Sequence, residues 1–346
     1  MYFVKERLLN MKNIRNVTPH LEYELNGVHH TVVQKGNVAT KYIYELQQLK
    51  QGTDTVVYRA LKNGLNTTFT KNGYRLYLKG IKVGGTAGAH TQTWEYAGPN
   101  GNGEWFVGTK PKNSPGTDKY WASQIARVKF ANQVYSKNTE LPRLSALNRA
   151  GSGYDDGSVV YPGTDLVRSE GAVSPEYTWM LIATIDNNET AHFGFYSVNE
   201  INAAINKYGT TNYPLDQFTC YYAFKVEDFV KKVDSIQGFD IDEDKNIYVS
   251  SEKAPKSNKN GKLEAQTRRI FKIPYGAKGD TSLWEVIDLN ANNTDGNNTS
   301  VLERSGFLTE FESIQVAGPN DIYLTVSYHD KTAGTTLHSR IYEITW

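Results

Sequence analysis

The sequence predicts an all-β fold, a five-bladed β-propeller of four-stranded antiparallel blades in a single domain. Three observations lead there. A strand–turn–strand pattern recurs five times along 346 residues. One copy resolves into four successive strands, the composition of a propeller blade. The last copy has only three strands before the chain stops, while an unassigned strand stands near the N-terminus.

The first copy is Thr31-Val-Val-Gln leading into Lys41-Tyr-Ile-Tyr, and the second is His90-Thr-Gln-Thr-Trp-Glu leading into Glu104-Trp-Phe-Val-Gly. A weaker third runs from Glu170-Gly-Ala-Val-Ser-Pro into Trp179-Met-Leu-Ile-Ala-Thr. The fourth is Ser235-Ile-Gln-Gly-Phe-Asp-Ile-Asp into Asn246-Ile-Tyr-Val-Ser-Ser, and the fifth Glu312-Ser-Ile-Gln-Val-Ala into Asp321-Ile-Tyr-Leu-Thr-Val. Aligned on Gln34, Gln92, Ala172, Gln237 and Gln315, the copies are roughly 60 to 80 residues apart, longer than the about 40–50 of compact propeller repeats, so long loops are expected.

In the fourth copy the strands are Ser235 to Ile241, Asn246 to Ser251, Arg268 to Ile273 and Ser282 to Leu289. The fifth supplies Ser313 to Val316, Ile322 to Tyr328 and Leu337 to Ile344. Its fourth strand is expected to be Leu21-Glu-Tyr-Glu-Leu, which closes the ring and leaves no long exposed edge. Residues 1–20 read as an N-terminal extension and 21–346 as the propeller, with Met11 an alternative start because Met1 to Asn10 differs in character from the rest of the chain. One short inserted helix is expected in the third copy. Ser197 and Glu200 form a capping box, Val198, Ile201, Ile205 and Tyr208 an apolar stripe, and Gly209 the stop. Asn290 to Ser300 is a surface loop.

Composition narrows the function. Lysines and arginines number 38 and acids 37, a net charge of +1, which argues against nucleic-acid binding through a strongly basic domain. With 39% apolar and 12% aromatic residues a large core is within reach, and the 23 tyrosines against 3 methionines suit half-buried pleated surfaces and amphipathic contact sites. The single Cys220 rules out an internal disulfide and a cysteine-rich metal site. The longest apolar stretch, near Trp179 to Ile185, is too short to span a bilayer. The N-terminus lacks the apolar segment of an ordinary signal peptide.

Several blocks resemble the helveticin J family, the large heat-labile (class III) bacteriocins of lactobacilli. These are AHTQTWEYAG (Ala89 to Gly98), QIARVKF (Gln124 to Phe130), PRLSALNRAGS (Pro142 to Ser152), AVSPEYT (Ala172 to Thr178), SIQGFDIDEDKNIYVSSEKAP (Ser235 to Pro255) and the final ESIQ…IYLTVSYH. The likeness runs from about Val32 to the C-terminus, with Met1 to Arg15 outside it. It implies a secreted antibacterial protein that kills related Gram-positive bacteria, exported without an ordinary signal peptide. It supplies no catalytic residues and no cofactor. The implied partner is the target-cell envelope: an anionic wall polymer, a glycan or lipid headgroups. A monomer is expected.

Candidate sites follow from the repeats. In a propeller the first strand of each blade lines the central channel. The aligned Gln92, Gln237 and Gln315, with His90, Glu170 and Glu312 beside the same strands, are candidates for contacting a glycan or surface ligand through amide, imidazole and carboxylate groups. Recurrence in nearly every copy favours a structural task instead, with buried amides tying neighbouring blades. Glu170 and Glu312, with Glu95 and Asp240, are the carboxylates that a glycosidase reading would need within 5–10 Å of one another; solvent exposure or ion pairing accounts for them as well. The histidines, among them His29, His30, His192, His329 and His338, show no metal-protease spacing, and no GxSxG elbow is present. Asp240, Asp242, Asp244 and Asn246 alternate like the start of a calcium loop, but its glycine and terminal glutamate are missing, and an Asx-rich turn explains them. No metal site is assigned. Finally, Lys253, Lys256, Lys259, Lys262, Arg268, Arg269 and Lys272 face one acid, Glu264, over twenty residues. The stretch reads either as a solvated loop or as a basic patch for anionic surfaces.

The functional readings are thus a non-enzymatic antibacterial protein, a cell-wall glycan hydrolase and a lectin-like surface binder that does not kill.

Overall fold

A computed structural model describes residues 11–50, 53–70, 74–81, 84–113, 120–152, 163–291 and 293–346. The Met1 to Asn10 segment therefore lies outside the described residues. Five antiparallel blades surround one channel. Blade one is Val33–Val38, Tyr42–Leu49, Asp54–Leu61 and Arg75–Leu78, and blade two is Trp94–Tyr96, Glu104–Asn113, Tyr120–Lys129 and Arg143–Ser145. Blade three is Leu166–Val173, Trp179–Asp186, Ala191–Ser197 and Tyr222–Val226. Blade four is Gly238–Ile241, Ile247–Ser251, Arg269–Ile273 and Glu285–Asp288. Their opening hairpins fall on the repeats read from the sequence and blade four has its four expected strands, while the third and fourth strands of blades one to three come from the structure.

Blade five is completed as expected from both ends of the chain. Phe307–Gly318, Asp321–Asp330 and Thr336–Thr345 are followed in the sheet by His20–Asn26, with Leu21 opposite Tyr342 and Leu25 opposite Ser339. Glu24 on this closing strand holds Arg304 at 2.7 Å and Arg340 at 3.1 Å. Burial works against that carboxylate, but the two guanidinium groups keep it below its usual range.

Four blades also carry a fifth, three-residue strand paired in parallel on the outer edge. Gln133–Tyr135 joins blade one, Asn212–Pro214 blade two, Lys12–Ile14 blade four and Asn66–Thr68 blade five. Each comes from chain that belongs elsewhere in the ring, so these strands cover edges and link blades. Three residues are too few for a readable period. Lys12–Ile14 places part of the expected N-terminal extension on blade four.

The helix Val198–Tyr208 lies between the third and fourth strands of blade three. Ser197 Oγ accepts the N–H of Glu200, while the Glu200 carboxylate turns away to Tyr221, so only half of the capping box forms. Val198, Ile201 and Ile205 are buried and Tyr208 is exposed. Arg127 of blade two donates to Asn202 at 2.9 Å and Asn206 at 2.6 Å, fixing the helix across the blade boundary. A short second helix, Phe229–Val233, has no clear sequence period.

Blade faces pack through aromatic side chains. Between blades one and two Trp94 stacks on Trp105 (4.9 Å, 3°), and Tyr44 lies 4.5 Å from Trp105 and edge-on to Phe130; such pairs add about 0.5–1.5 kcal/mol each beyond area burial. Toward the axis the inner strands approach too closely for large residues. A Cβ on Gly238 would sit 2.7 Å from the Ser313 Cα, and one on Gly36 would sit 2.7 Å from Thr325 Oγ1.

Candidate binding cleft and the channel beneath it

The five inner strands run the same way along the axis. Their C-terminal ends (Val38, Tyr96, Val173, Asp240 and Val316) share one cleft, while Val32, Gln34 and His90 near their N-terminal ends line a hollow at the other mouth. The cleft has a volume of about 570 Å³. Its walls carry Tyr44, Tyr96, Trp105, Tyr177 and Tyr323. Tyr96 is 5.3 Å from Trp105 and edge-on to Tyr177 at 5.4 Å, so the rings support one another as a continuous wall. Asn37 and Gln315 add amides, and Lys41 stands at the rim.

Glu95 and Asp240 form the floor, and below them lies Lys35, fully buried. The Lys35 ammonium donates to the Ile314 carbonyl at 2.6 Å and lies 2.7 Å from Glu95 Oε1 and 3.9 Å from Asp240 Oδ2. Asp240 also accepts the N–H groups of Ile241 and Val316, each at 2.8 Å. Burial pushes the Glu95 carboxyl up to about 8, against the pull of Lys35. Burial also raises Asp240, to about 6, with Lys35 and the two N–H donors holding it down. Burial disfavours the Lys35 charge, but the carboxylates outweigh it and hold the ammonium above its usual range. The floor thus sets one ammonium against two carboxyls that burial drives toward their protonated forms.

The residues singled out in the sequence fill the channel below. Glu170 accepts from Thr91 (3.1 Å), Thr93 (2.7 Å) and the N–H of Gln92 (3.0 Å), and pairs with Arg168 at 3.2 Å. Gln92 donates to Glu312 at 2.9 Å and accepts from Arg168, so it spans blades two, three and five. The Arg168 guanidinium lies 3.8 Å from the Trp121 ring centroid. His90 stacks on Trp121 and bonds Gln34 at 2.9 Å. Gln237 donates to the Glu252 carbonyl at 2.5 Å, and Gln315 exchanges two hydrogen bonds with the Val38 backbone. Four of the aligned glutamines thus tie strands or blades together. Of the six candidates His90, Gln92, Glu170, Gln237, Glu312 and Gln315, Gln315 alone lines the cleft, and His90 lines the opposite hollow.

The basic stretch divides. Lys253, Lys256, Lys259 and Lys262 are exposed around a small hairpin, Lys256–Ser257 with Leu263–Glu264. Since Ser250 pairs with Gly238 and Ile247 with Ile241, this loop leaves blade four at the mouth opposite the cleft. Arg268 and Arg269 do not belong to an exposed patch. Both are buried, Arg268 bonded to Glu303 at 2.7 Å and Arg269 lying 3.9 Å from Asp288; Arg269 begins the third strand and Arg268 directly precedes it, where the blade covers both. In the Asx-rich turn, Asp242 accepts from the backbone and side chain of Asn246 and from the Tyr248 hydroxyl. Among the described residues no group of three or more histidines, cysteines or acids is arranged to hold a metal.

Lys35 and the aromatic wall are what sequence reasoning missed as a site. The signals were a lone lysine inside an inner-strand repeat and the rings of Tyr42-Ile-Tyr44 and Trp105-Phe106, which core packing explains equally well.

The tail fibre of Staphylococcus aureus phage P68 has a similar fold, with a TM-score of 0.53 at 13% identity; the similarity covers 100% of this chain and 56% of that one. The catalytic domain of the Coprinopsis cinerea GH62 alpha-L-arabinofuranosidase is more distant, with a TM-score of 0.46, 9% identity and coverage of 94% and 97%. In sequence, the bacteriocin helveticin-J of Lactobacillus helveticus is 38% identical over 360 residues, covering 97% of this chain and 99% of that protein. Residues 13–346 match the family described as bacteriocin helveticin-J, a span that starts well before the Val32 suggested by the blocks alone. The chain belongs to the helveticin J bacteriocin family.

Proposed function

We propose that this chain is a secreted antibacterial protein that binds a carbohydrate of the target-cell envelope in the aromatic cleft and acts without cleaving a bond. The carrying observation is the cleft itself. Tyr96, Tyr177 and Tyr323 are half-buried on its walls and offer ring faces for sugar stacking. Its floor carboxyls are engaged by Lys35 and backbone N–H groups. Membership of a bacteriocin family supplies the antibacterial context.

Growth inhibition by purified protein, together with turbidity and soluble fragments from isolated walls, tests the reading. Killing without fragment release is expected. Tyr96→Ala and Tyr323→Ala, which shorten the cleft wall, are expected to lose wall binding and killing together while folding normally. Killing that persists in both variants overturns the cleft as the recognition site.

The hydrolase alternative has one observation in its favour: Glu95 and Asp240 share the cleft floor and hold their protons over different pH ranges. It requires wall-fragment release that Glu95→Gln or Asp240→Asn lowers a hundredfold or more. A protein that binds walls but never inhibits growth is instead a lectin-like binder.

A further inference from the structure

We propose that the occupant of the cleft is an anionic glycan polymer, with a sugar against the aromatic wall and the phosphodiester groups of its backbone along a ridge formed by Lys41, Arg59 and Lys62. This rests on the cleft being a carbohydrate site.

The ridge begins where the cleft ends. Lys41 lines the cleft rim, and its carbonyl accepts the N–H of Lys62 at 3.0 Å, so the two lysines start and finish neighbouring strands of blade one. Arg59 is paired across the sheet with the cleft residue Tyr44. Its guanidinium lies 4.4 Å from the Tyr42 ring centroid and 5.0 Å from those of Tyr74 and Phe130, which hold it in place while leaving its edge half-exposed. Among the described residues no carboxylate lies within ion-pair distance of Lys41, Arg59 or Lys62. Other surface cations do have such partners: Lys50 with Asp54, Lys225 with Glu227 and Lys231 with Asp228.

Three uncompensated cations beside one cleft suit an anion, and their chemistry matches phosphate oxygens. Lys41 and Lys62 mark the start of the second strand and the end of the third, a step outward from the rim, with Arg59 turned toward Tyr42 and Phe130 on one face of the blade and Lys62 toward Tyr23 on the other. A chain with repeated charge meets all three, whereas a single headgroup seated in the cleft meets Lys41 first and leaves the others unused.

The test is binding of the full-length protein to three probes: poly(glycerol phosphate) substituted with glucose or N-acetylglucosamine, the same polymer without sugars, and neutral oligosaccharides of those sugars. The substituted polymer is expected to bind tightest and to weaken as salt rises. Arg59→Gln/Lys62→Gln, which leaves every cleft-lining residue in place, is expected to lose about tenfold in polymer affinity and to flatten the salt dependence, with neutral-sugar binding unchanged. Lys225→Gln/Lys231→Gln, an equal change in net charge elsewhere, should bind as the parent does. Equal affinity for the neutral oligosaccharide and the polymer, or a ridge variant indistinguishable from the parent, overturns the anionic assignment and leaves the cleft reading intact. Loss of polymer binding in the ridge variant with none in Tyr96→Ala or Tyr323→Ala overturns the cleft reading and this proposal with it. Binding to anionic phospholipid vesicles in preference to the polymer overturns it too.

Discussion

Replacing Lys35 by methionine removes the cation beneath the cleft floor while nearly keeping the volume of its side chain. In the parent, Lys35 is within 4 Å of two carboxyl groups, all three side chains being buried. Breaking such a set by deleting one partner leaves buried charge uncompensated and costs about 3–5 kcal/mol. The loss should depend on pH. Both carboxyls have folded-state values raised above their unfolded ones, so the stability they contribute is complete below the unfolded values and is lost as pH rises through about 6 for Asp240 and about 8 for Glu95. Lys35 holds both carboxyls down, so without it the variant at pH 7 either strands charge or takes up a proton, whereas near pH 5 less charge is left to strand. Urea denaturation at the two pH values is therefore expected to show the full loss at pH 7 and a clearly smaller one at pH 5. The triple variant Lys35→Met/Glu95→Gln/Asp240→Asn, which has no charge left to strand, is expected to regain most of the stability. A single-variant loss below about 1 kcal/mol at pH 7, or equal losses at both pH values, refutes the charge assignment.

Deleting Met1 to Asn10 is expected to leave the melting temperature unchanged, whereas deletion through Gly27 removes the His20–Asn26 strand and the Lys12–Ile14 edge and should abolish cooperative unfolding by circular dichroism. Glu252→Gln is expected to stabilise the protein above pH 7 and to have little effect near pH 5. Burial raises that carboxyl to about 8, against the pull of Arg268 and of the Thr309 hydroxyl 2.7 Å away, and a stability curve of the same shape in the variant contradicts this. Changing Lys253, Lys256, Lys259 and Lys262 together to glutamine should lower low-salt capture on sensitive cells without shifting the melting temperature, since exposed loop side chains contribute little to the core; unchanged capture at every salt concentration marks the loop as a solvated connection.

The opening hairpin of each blade and all of blade four were legible in the sequence through recurring runs of aromatic and β-branched residues, and the closing strand because one repeat was a strand short; the third and fourth strands of blades one to three were not legible. The parallel edge strands were not legible. Gln133–Tyr135 and Asn212–Pro214 hold their places through three pairings each, to strands distant in sequence. The channel residues were found but their task was not. A glutamine that recurs at one position says that the position is inward; it does not say whether the amide meets a ligand or, like Gln315, a neighbouring backbone. Arg268 and Arg269 show the same limit, since a run of basic residues in sequence crosses from exposed loop into buried strand without a change of composition.

The proposed function places recognition at a mouth rather than in the channel because of these bonds. Inner strands in close contact admit glycine and slender side chains, as at Gly36 and Gly238. Polar groups crowded into that space must satisfy one another. Gln92, Arg168, Glu170 and Glu312 do so across three blades. A ligand entering the axis would have to break that network and leave buried charges unpaired, a cost of several kcal/mol. At the C-terminal ends of the inner strands aromatic rings line a cleft of about 570 Å³ above Glu95 and Asp240. A sugar can bind there by stacking and edge hydrogen bonds while the ionic network below stays intact. On that proposal, substitutions at the wall and rim residues Tyr96, Tyr323 and Lys41 are expected to lower affinity at the cleft, whereas substitutions at Gln92, Glu170 or Glu312 are expected to act first on stability.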